Sequence, residues 1–191
     1  MPQANTTYHH GNLREACLQA ARELLEESGD SDLSLRAVAR RAGVSATAPY
    51  RHFADREALL YGVAAVGYRD LAGELAAAQP SPSTPADLAD IGVAYVRFAL
   101  DHPALFRVMF AEPCDPTSPE RVAATTAINE YLHTIIRQAL PTADTGAMAT
   151  TLWALVHGMA FLHLDGKFGS STPEAVPTKV HEAMAVMLGQ G

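Results

Sequence analysis

Ser34 to Arg56, SLRAVARRAGVSATAPYRHFADR, reads as two short helices at a sharp angle with the start of a third behind them. Ser34 suits an N-cap, because its hydroxyl can accept from the free N–H groups of the first turn. Leu35, Val38, Ala39 and Ala42 recur at spacings of three and four as one apolar face, while Arg36, Arg40 and Arg41 point elsewhere. Ala39 is small enough for a second helix to cross closely. Gly43 supplies the positive φ that a tight helix exit needs. The second helix starts after Ser45, and Pro49 falls in its first turn or just past it, where it removes at most one backbone bond. Pro49 and Phe53, four apart, pack inward; Ala46, Thr47, Tyr50 and Arg51 form the outward stripe. Asp55 caps the third helix. This is the grammar of a helix-turn-helix.

The outward stripe offers a methyl, a hydroxyl, a phenol and a guanidinium, a mixture suited to base edges and phosphates. Between Leu33 and Ala54 there are four arginines and no acidic residue, so the electrostatic footprint for DNA is local. Ala46, Thr47, Tyr50 and Arg51 are therefore the candidates for base or groove contacts, and Ser34, Arg36, Arg40, Ser45, His52 and Arg56 for phosphates. Arg56 sits in a first helical turn, beside N–H groups that favour an anion. The whole chain, 191 residues and 48% hydrophobic, can hold a substantial core in one or two domains. Its formal charge of −7 argues against a generally basic nucleic-acid binder. Residues 1–70 hold eight arginines against nine acidic residues, and 71–191 hold six basic against twelve acidic. A patch, not the net charge, must attract DNA.

Working outward, Tyr8-His9-His10-Gly11 precedes a helix that Asn12 caps, with Glu15 completing a capping box and Leu13, Cys17, Ala20 and Leu24 as its buried stripe. From Arg56 a long amphipathic helix runs to Ala78, ending at a Pro/Ser-rich break, Gln79 to Pro85. Further helices are expected over 86–100, 104–110, 118–140, 147–163 and 172–188, opened by Pro103, by Ser118-Pro119-Glu120 and by Thr172-Pro173-Glu174. The segment Ala147–His163 is apolar nearly all round and is expected to be buried on several sides. No strand pattern competes. The fold class is all-α, about nine helices, with a helix-turn-helix domain over 1–55 and a second helical domain over 56–191. Cys17 and Cys114 suggest neither a disulfide framework nor a metal site. No signal peptide and no apolar run long enough to span a membrane is read, which makes the cytoplasm the default. There is no Gly-rich phosphate loop, nucleophile elbow or metal triad. His157 and His163, six apart, fall on different helix faces, so no metal and no cofactor is expected. A helical adaptor without DNA binding is the rival reading, and it leaves the arginine window unexplained.

The stretch GVSATAPYRHFADREALL, residues 43–60, resembles the helix-turn-helix signature of TetR-family transcriptional regulators. Gly43, Val44, Ser45, Tyr50, His52, Phe53, Arg56, Leu59 and Leu60 carry the resemblance, which covers about the first third of the chain. Some TetR-like regulators carry a similar Tyr-His-His-Gly-Asn-Leu-Arg lead-in, which implies phosphate contacts from His9 and His10. The run Trp153 to Gly158, followed by Leu164-Asp165-Gly166, is similar to the C-terminal domain of a TetR subfamily named for Trp, His and Gly. The resemblance implies a homodimer on a double-stranded, pseudo-palindromic operator, most often a repressor, whose second domain binds a small-molecule effector. Dimerisation has a physical reason too, since one helix-turn-helix offers little contact and paired units read half-sites a turn apart. Leu155, Gly158, Met159, Leu162, Val180, Met184 and Met187 are the expected dimer seam. Tyr61, Tyr95, Phe98, Phe106, Met109, Phe110, Tyr131, Trp153 and His157 are the candidates to line an apolar pocket with polar handles.

Overall fold

The computed structural model describes residues 13–29, 31–111, 119–141, 143–169 and 174–189. It contains eight α-helices and one short 3-10 turn, with no strand among the described residues. The chain divides into two compact units, residues 1–63 and 64–191. The expected caps at Asn12, Ser118 and Thr172 lie outside the described residues.

In the first unit, α1 (Leu13–Ser28) packs on α2 (Leu35–Arg41) and on the 3-10 turn Pro49–Arg51. The front end of α3 (Arg56–Ala78) completes it. Ser34 caps α2 as expected, its Oγ accepting from the Ala37 N–H at 3.2 Å. Leu35, Val38 and Ala39 are buried, and Gly43 turns the chain at φ +68°. The inward face of α1 differs from expectation. Cys17, Leu18, Ala20, Ala21 and Leu25 are buried, while Leu13 and Leu24 are half-buried. The helix is turned toward Leu18 because Gly62 of α3 has no side chain there: a Cβ on Gly62 would lie 2.9 Å from Leu18 Cδ2.

The second unit is built on α4 (Pro85–Asp101), which touches α5 (Pro103–Ala111), α6 (Pro119–Ala139), α7 (Thr145–Leu164) and α8 (Ala175–Met187). Thr84 and Asp87 form a reciprocal capping box at the start of α4, with Pro85 in the first turn. Bonds from the Ser83 and Thr84 N–H groups and hydroxyls hold the Asp87 carboxyl below the usual carboxylate range. Gly92 lets two helices approach α4 at once, since a Cβ there would lie 3.2 Å from both Val156 and Val180. The last helix begins at Ala175, later than expected, without a side-chain cap.

Two expectations about α7 fail. Only one face, with Ala149, Leu152, Val156, Met159 and Ala160, is buried; Gly158 and Leu162 are exposed and Leu155 is half-buried. Apolar residues around the whole circumference thus leave an uncovered apolar side in the single chain. By length and composition alone, α7 also reaches what a membrane crossing requires, contrary to the sequence reading. The core helix of a globular protein meets the same test, and the inward face of α7 packs on α4 and α6.

Candidate nucleic-acid interface and ligand cleft

The segment after Gly43 is not the α-helix the sequence suggested. Residues 45–48 form a turn, and only Pro49–Arg51 are helical, as one 3-10 turn. The reason is Pro49. It has no N–H to reach back to the Ser45 carbonyl, which accepts instead from Ala48 at 2.9 Å, an i→i−3 bond. His52 and Phe53 then both donate to the Pro49 carbonyl, at 3.0 Å each. The facing of the residues nevertheless agrees with expectation. Pro49 and Phe53 are buried, whereas Ala46, Thr47, Tyr50 and Arg51 are exposed, Tyr50 at 51%.

The arginines of this unit divide into two sets. Arg41 of α2 is bound to α1, its Nη1 donating to Glu27 at 2.9 Å and to Glu23 at 3.3 Å, with a second bond from Nη2 to Glu27. The Glu27 carboxyl lies below its ordinary pKa because Arg41 bonds it. Arg56, assigned to phosphate from sequence, gives its Nε to the Leu33 carbonyl at 3.0 Å and so ties the α1–α2 connection to the start of α3. Arg36, Arg40 and Arg51 are exposed and, among the described residues, have neither hydrogen bond nor ion pair. Ser34, Ser45, Thr47 and His52 are exposed beside them, with Ser45 Oγ 3.4 Å from Thr47 Oγ1. Asp55 caps α3 by accepting from Ala58 at 2.8 Å. His9 and His10 lie outside the described residues.

The second unit holds a hydrogen-bonded relay. Trp153 Nε1 donates to the Tyr95 hydroxyl at 3.3 Å, and that hydroxyl lies 2.9 Å from His157 Nδ1. Burial pushes the Tyr95 phenol above its ordinary pKa and His157 below its own. Around the imidazole stand Phe110, Phe161, Phe106 and Tyr95, with ring centroids 4.6, 4.9, 5.8 and 6.3 Å away. An open cleft of about 380 Å³ lies along this cluster, lined by Phe110, Asn129, His133, Ala149, Thr150, Trp153, Ala154 and His157. A separate apolar cavity of about 30 Å³, bordered by Tyr95 and Trp153, lies within the core.

Of the expected pocket residues, Phe110, Trp153 and His157 line the cleft, and Tyr95 holds His157 from behind. Phe98, Phe106 and Met109 are fully buried core. Tyr61 belongs to the first unit, where its hydroxyl donates to Glu57 one turn back. The Tyr131 hydroxyl is buried without a partner among the described residues, and burial pushes its pKa up to about 12. Asn129, His133 and Thr150 were missed. Their signal was the spacing of four between Asn129 and His133 and of three between Thr150 and Trp153, but polar residues on half-exposed helices are commonplace. The expected seam also changes: Met159, Val180 and Met184 point into the chain's own core at 6%, 0% and 1% exposure, and Met187 is half-buried.

The two depressed histidines have a consequence for stability. Burial lowers both His157 and His163 from the ordinary 6.5, with Lys179 adding to the effect at His163. As pH falls through 6.5 the unfolded chain binds protons that the folded chain resists, so stability declines until the folded pKa values are passed. Thermal melts of wild type and His157→Gln between pH 8 and pH 5 check this. The wild type should lose more midpoint temperature over that interval, and parallel losses would refute the role of His157.

A capped helix, a glycine exit and an anchored turn that presents unpaired arginines define a helix-turn-helix DNA-binding protein. Residues 18–63 match the family described as bacterial regulatory proteins of the tetR family. Residues 88–188 match the family described as the tetracyclin repressor-like C-terminal domain. The chain belongs to the TetR family, whose members are transcriptional regulators and not enzymes. Its structure is similar to that of a Rhodococcus sp. RHA1 protein described as of unknown function, 34% identical over 94% of this chain and 96% of that one, with a TM-score of 0.79. It is also similar to a transcriptional regulator from Rhodococcus sp. Rha1 (22% identity, 92% and 95% covered, TM-score 0.70). A third likeness is to a TetR/AcrR-family transcriptional regulator from Thermobifida fusca YX-ER1 (18% identity, 90% and 95% covered, TM-score 0.65). At such identities the last two bear on the fold alone. No curated protein matches the chain.

Proposed function

We propose that the protein is a homodimeric repressor that leaves its operator when a small molecule binds the second unit. The observation that carries this reading is the outward set Thr47, Tyr50 and Arg51, held by buried Pro49 and Phe53 and flanked by the unpaired Arg36 and Arg40. Ala46, Thr47, Tyr50 and Arg51 contact bases or groove; Ser34, Arg36, Arg40, Ser45 and His52 contact phosphates. The seam consists of Leu155, Gly158 and Leu162, joined by Thr151, at spacings of four, three and four on the uncovered side of α7. The cleft lies on the adjoining side of the same helix, through Thr150, Trp153 and His157. A ligand there acts by favouring one of two seam arrangements, and only to the extent that its affinity for the two differs. Since α3 runs through the boundary between the units, it offers a continuous route for that change.

Arg51→Ala tests the reading surface. On a duplex selected by the protein from a random pool, its loss should cost about 1–3 kcal/mol of specific affinity, the value of one good base contact. Arg36→Ala and Arg40→Ala should each flatten the salt dependence by about one ion while leaving sequence preference unchanged. Gel shifts over a salt series measure both. An Arg51→Ala variant that still separates selected from random duplex as well as wild type does would remove the assignment.

A further inference from the structure

The relay at His157 determines which of its nitrogens carries the proton. The Tyr95 hydroxyl has one proton, is buried, and receives the Trp153 N–H. If His157 Nδ1 carried the proton and donated to Tyr95, the phenol proton would be left without an acceptor, a buried orphan. Donation from Tyr95 to Nδ1 satisfies every group, and it leaves the proton of neutral His157 on Nε2. That nitrogen has no partner among the described residues and is not a buried orphan, and His157 lines the cleft. The cleft therefore presents a fixed N–H donor framed by aromatic rings.

Among the described residues its lining contains no lysine, arginine, aspartate or glutamate. An anion entering it would give up water without gaining a full opposite charge. The surrounding half of the chain, 71–191, carries twelve acidic against six basic residues and repels anions further. A hydrocarbon, in turn, would cover the His157 donor without bonding it.

We propose that the cleft takes an uncharged, mainly apolar molecule bearing a carbonyl-type acceptor, which receives the His157 Nε2–H. This rests on the sensory reading of the second unit given above. Tyr95 is the positioning residue, since it acts on the ligand only through the tautomer of His157.

Trp153 is the chain's single tryptophan, so its indole N–H gives one nitrogen-15 correlation that reports on the cleft directly. Three probes of matched shape separate the chemistries: 2-acetylnaphthalene, 2-ethylnaphthalene and 2-naphthoate. Titrated into the full chain at neutral pH, the ketone should move the indole resonance saturably, with affinity about tenfold above either of the others, equivalent to about 1.4 kcal/mol. His157→Phe keeps an apolar ring and removes the donor, so the ketone should fall to the level of the ethyl compound. Tyr95→Phe should narrow the ratio of ketone to ethyl affinity, a ratio that a loss of stability alone leaves unchanged. Equal affinity for the three probes, tightest binding of the naphthoate, or an indole that none of them moves would each overturn the proposal. A gel shift on the selected duplex separates this from the sensory reading. Preference for the ketone with undiminished DNA binding would sustain the donor assignment and end the sensory reading. Release of DNA by all three probes alike would do the reverse.

Discussion

Gly158→Arg sediments as a folded monomer, and its affinity for the selected duplex falls about 10²–10⁴-fold, the range by which linking two binding units exceeds one. The expectation rests on how little the single chain needs this position. A Cβ built on Gly158 meets nothing within 4 Å, and in a helix interior arginine is better than glycine by up to about 1 kcal/mol. Thermal stability of the isolated chain should therefore not fall. What the substitution opposes is the proposed approach of a second copy along Thr151, Leu155, Gly158 and Leu162, where it would insert a long charged side chain into an apolar seam. Sedimentation velocity, circular dichroism and gel shift on one preparation suffice. A variant that remains dimeric and binds DNA as before would move the seam away from α7.

Phe53→Ala loses about 3–5 kcal/mol of stability in the first unit, the usual cost of truncating a buried phenylalanine. That is a large share of the 5–15 kcal/mol typical of a whole domain. Phe53 is 2% exposed. Its ring lies under the Arg14 guanidinium, 5.7 Å from the centroid, and against the Gly62 backbone, where a Cβ would come within 3.1 Å of Cε1. It therefore joins the reading turn to α1 and α3, and its removal frees the turn as well as emptying a cavity. Phe53→Leu should fall between the two. Melting followed by circular dichroism reads the loss, and specific DNA binding should disappear in parallel. A Phe53→Ala protein that melts like wild type would mean that the turn is held by something else.

Where sequence and structure agree, the cause is local. Ser34, Gly43 and Asp55 act within their own turn, and each is found in the expected role; α4 starts one residue before the expected Ala86, because Thr84 and Asp87 cap it there. The inward and outward facing of Pro49, Phe53, Tyr50 and Arg51 was legible for the same reason. Where they disagree, the cause is at a distance in the chain. Nothing near Leu18 announces that Gly62 will open a place for it. The burial of Val180 against Gly92 of α4, rather than against a second chain, depends on a glycine some ninety residues earlier. Aromatic residues marked a binding region only in part, because Phe98 and Phe106 fill core while Phe110 edges a cleft, and all three share the same composition signal. The relay from Trp153 through Tyr95 to His157 joins α4 to α7 across sixty residues and has no signature in either segment alone.

Pro49 leaves the segment with turn-type bonds, most of them i→i−3, in place of a regular α-helical ladder, so its form rests also on two inward anchors. Residues 46, 47, 50 and 51 consequently carry little of the burden of folding. They are free to be exchanged for others without disturbing the scaffold, as a type case can be reset while its frame stays locked. On the proposed assignment, retargeting to a new operator is a matter of these four outward positions, and a library confined to them should lose few of its members to misfolding.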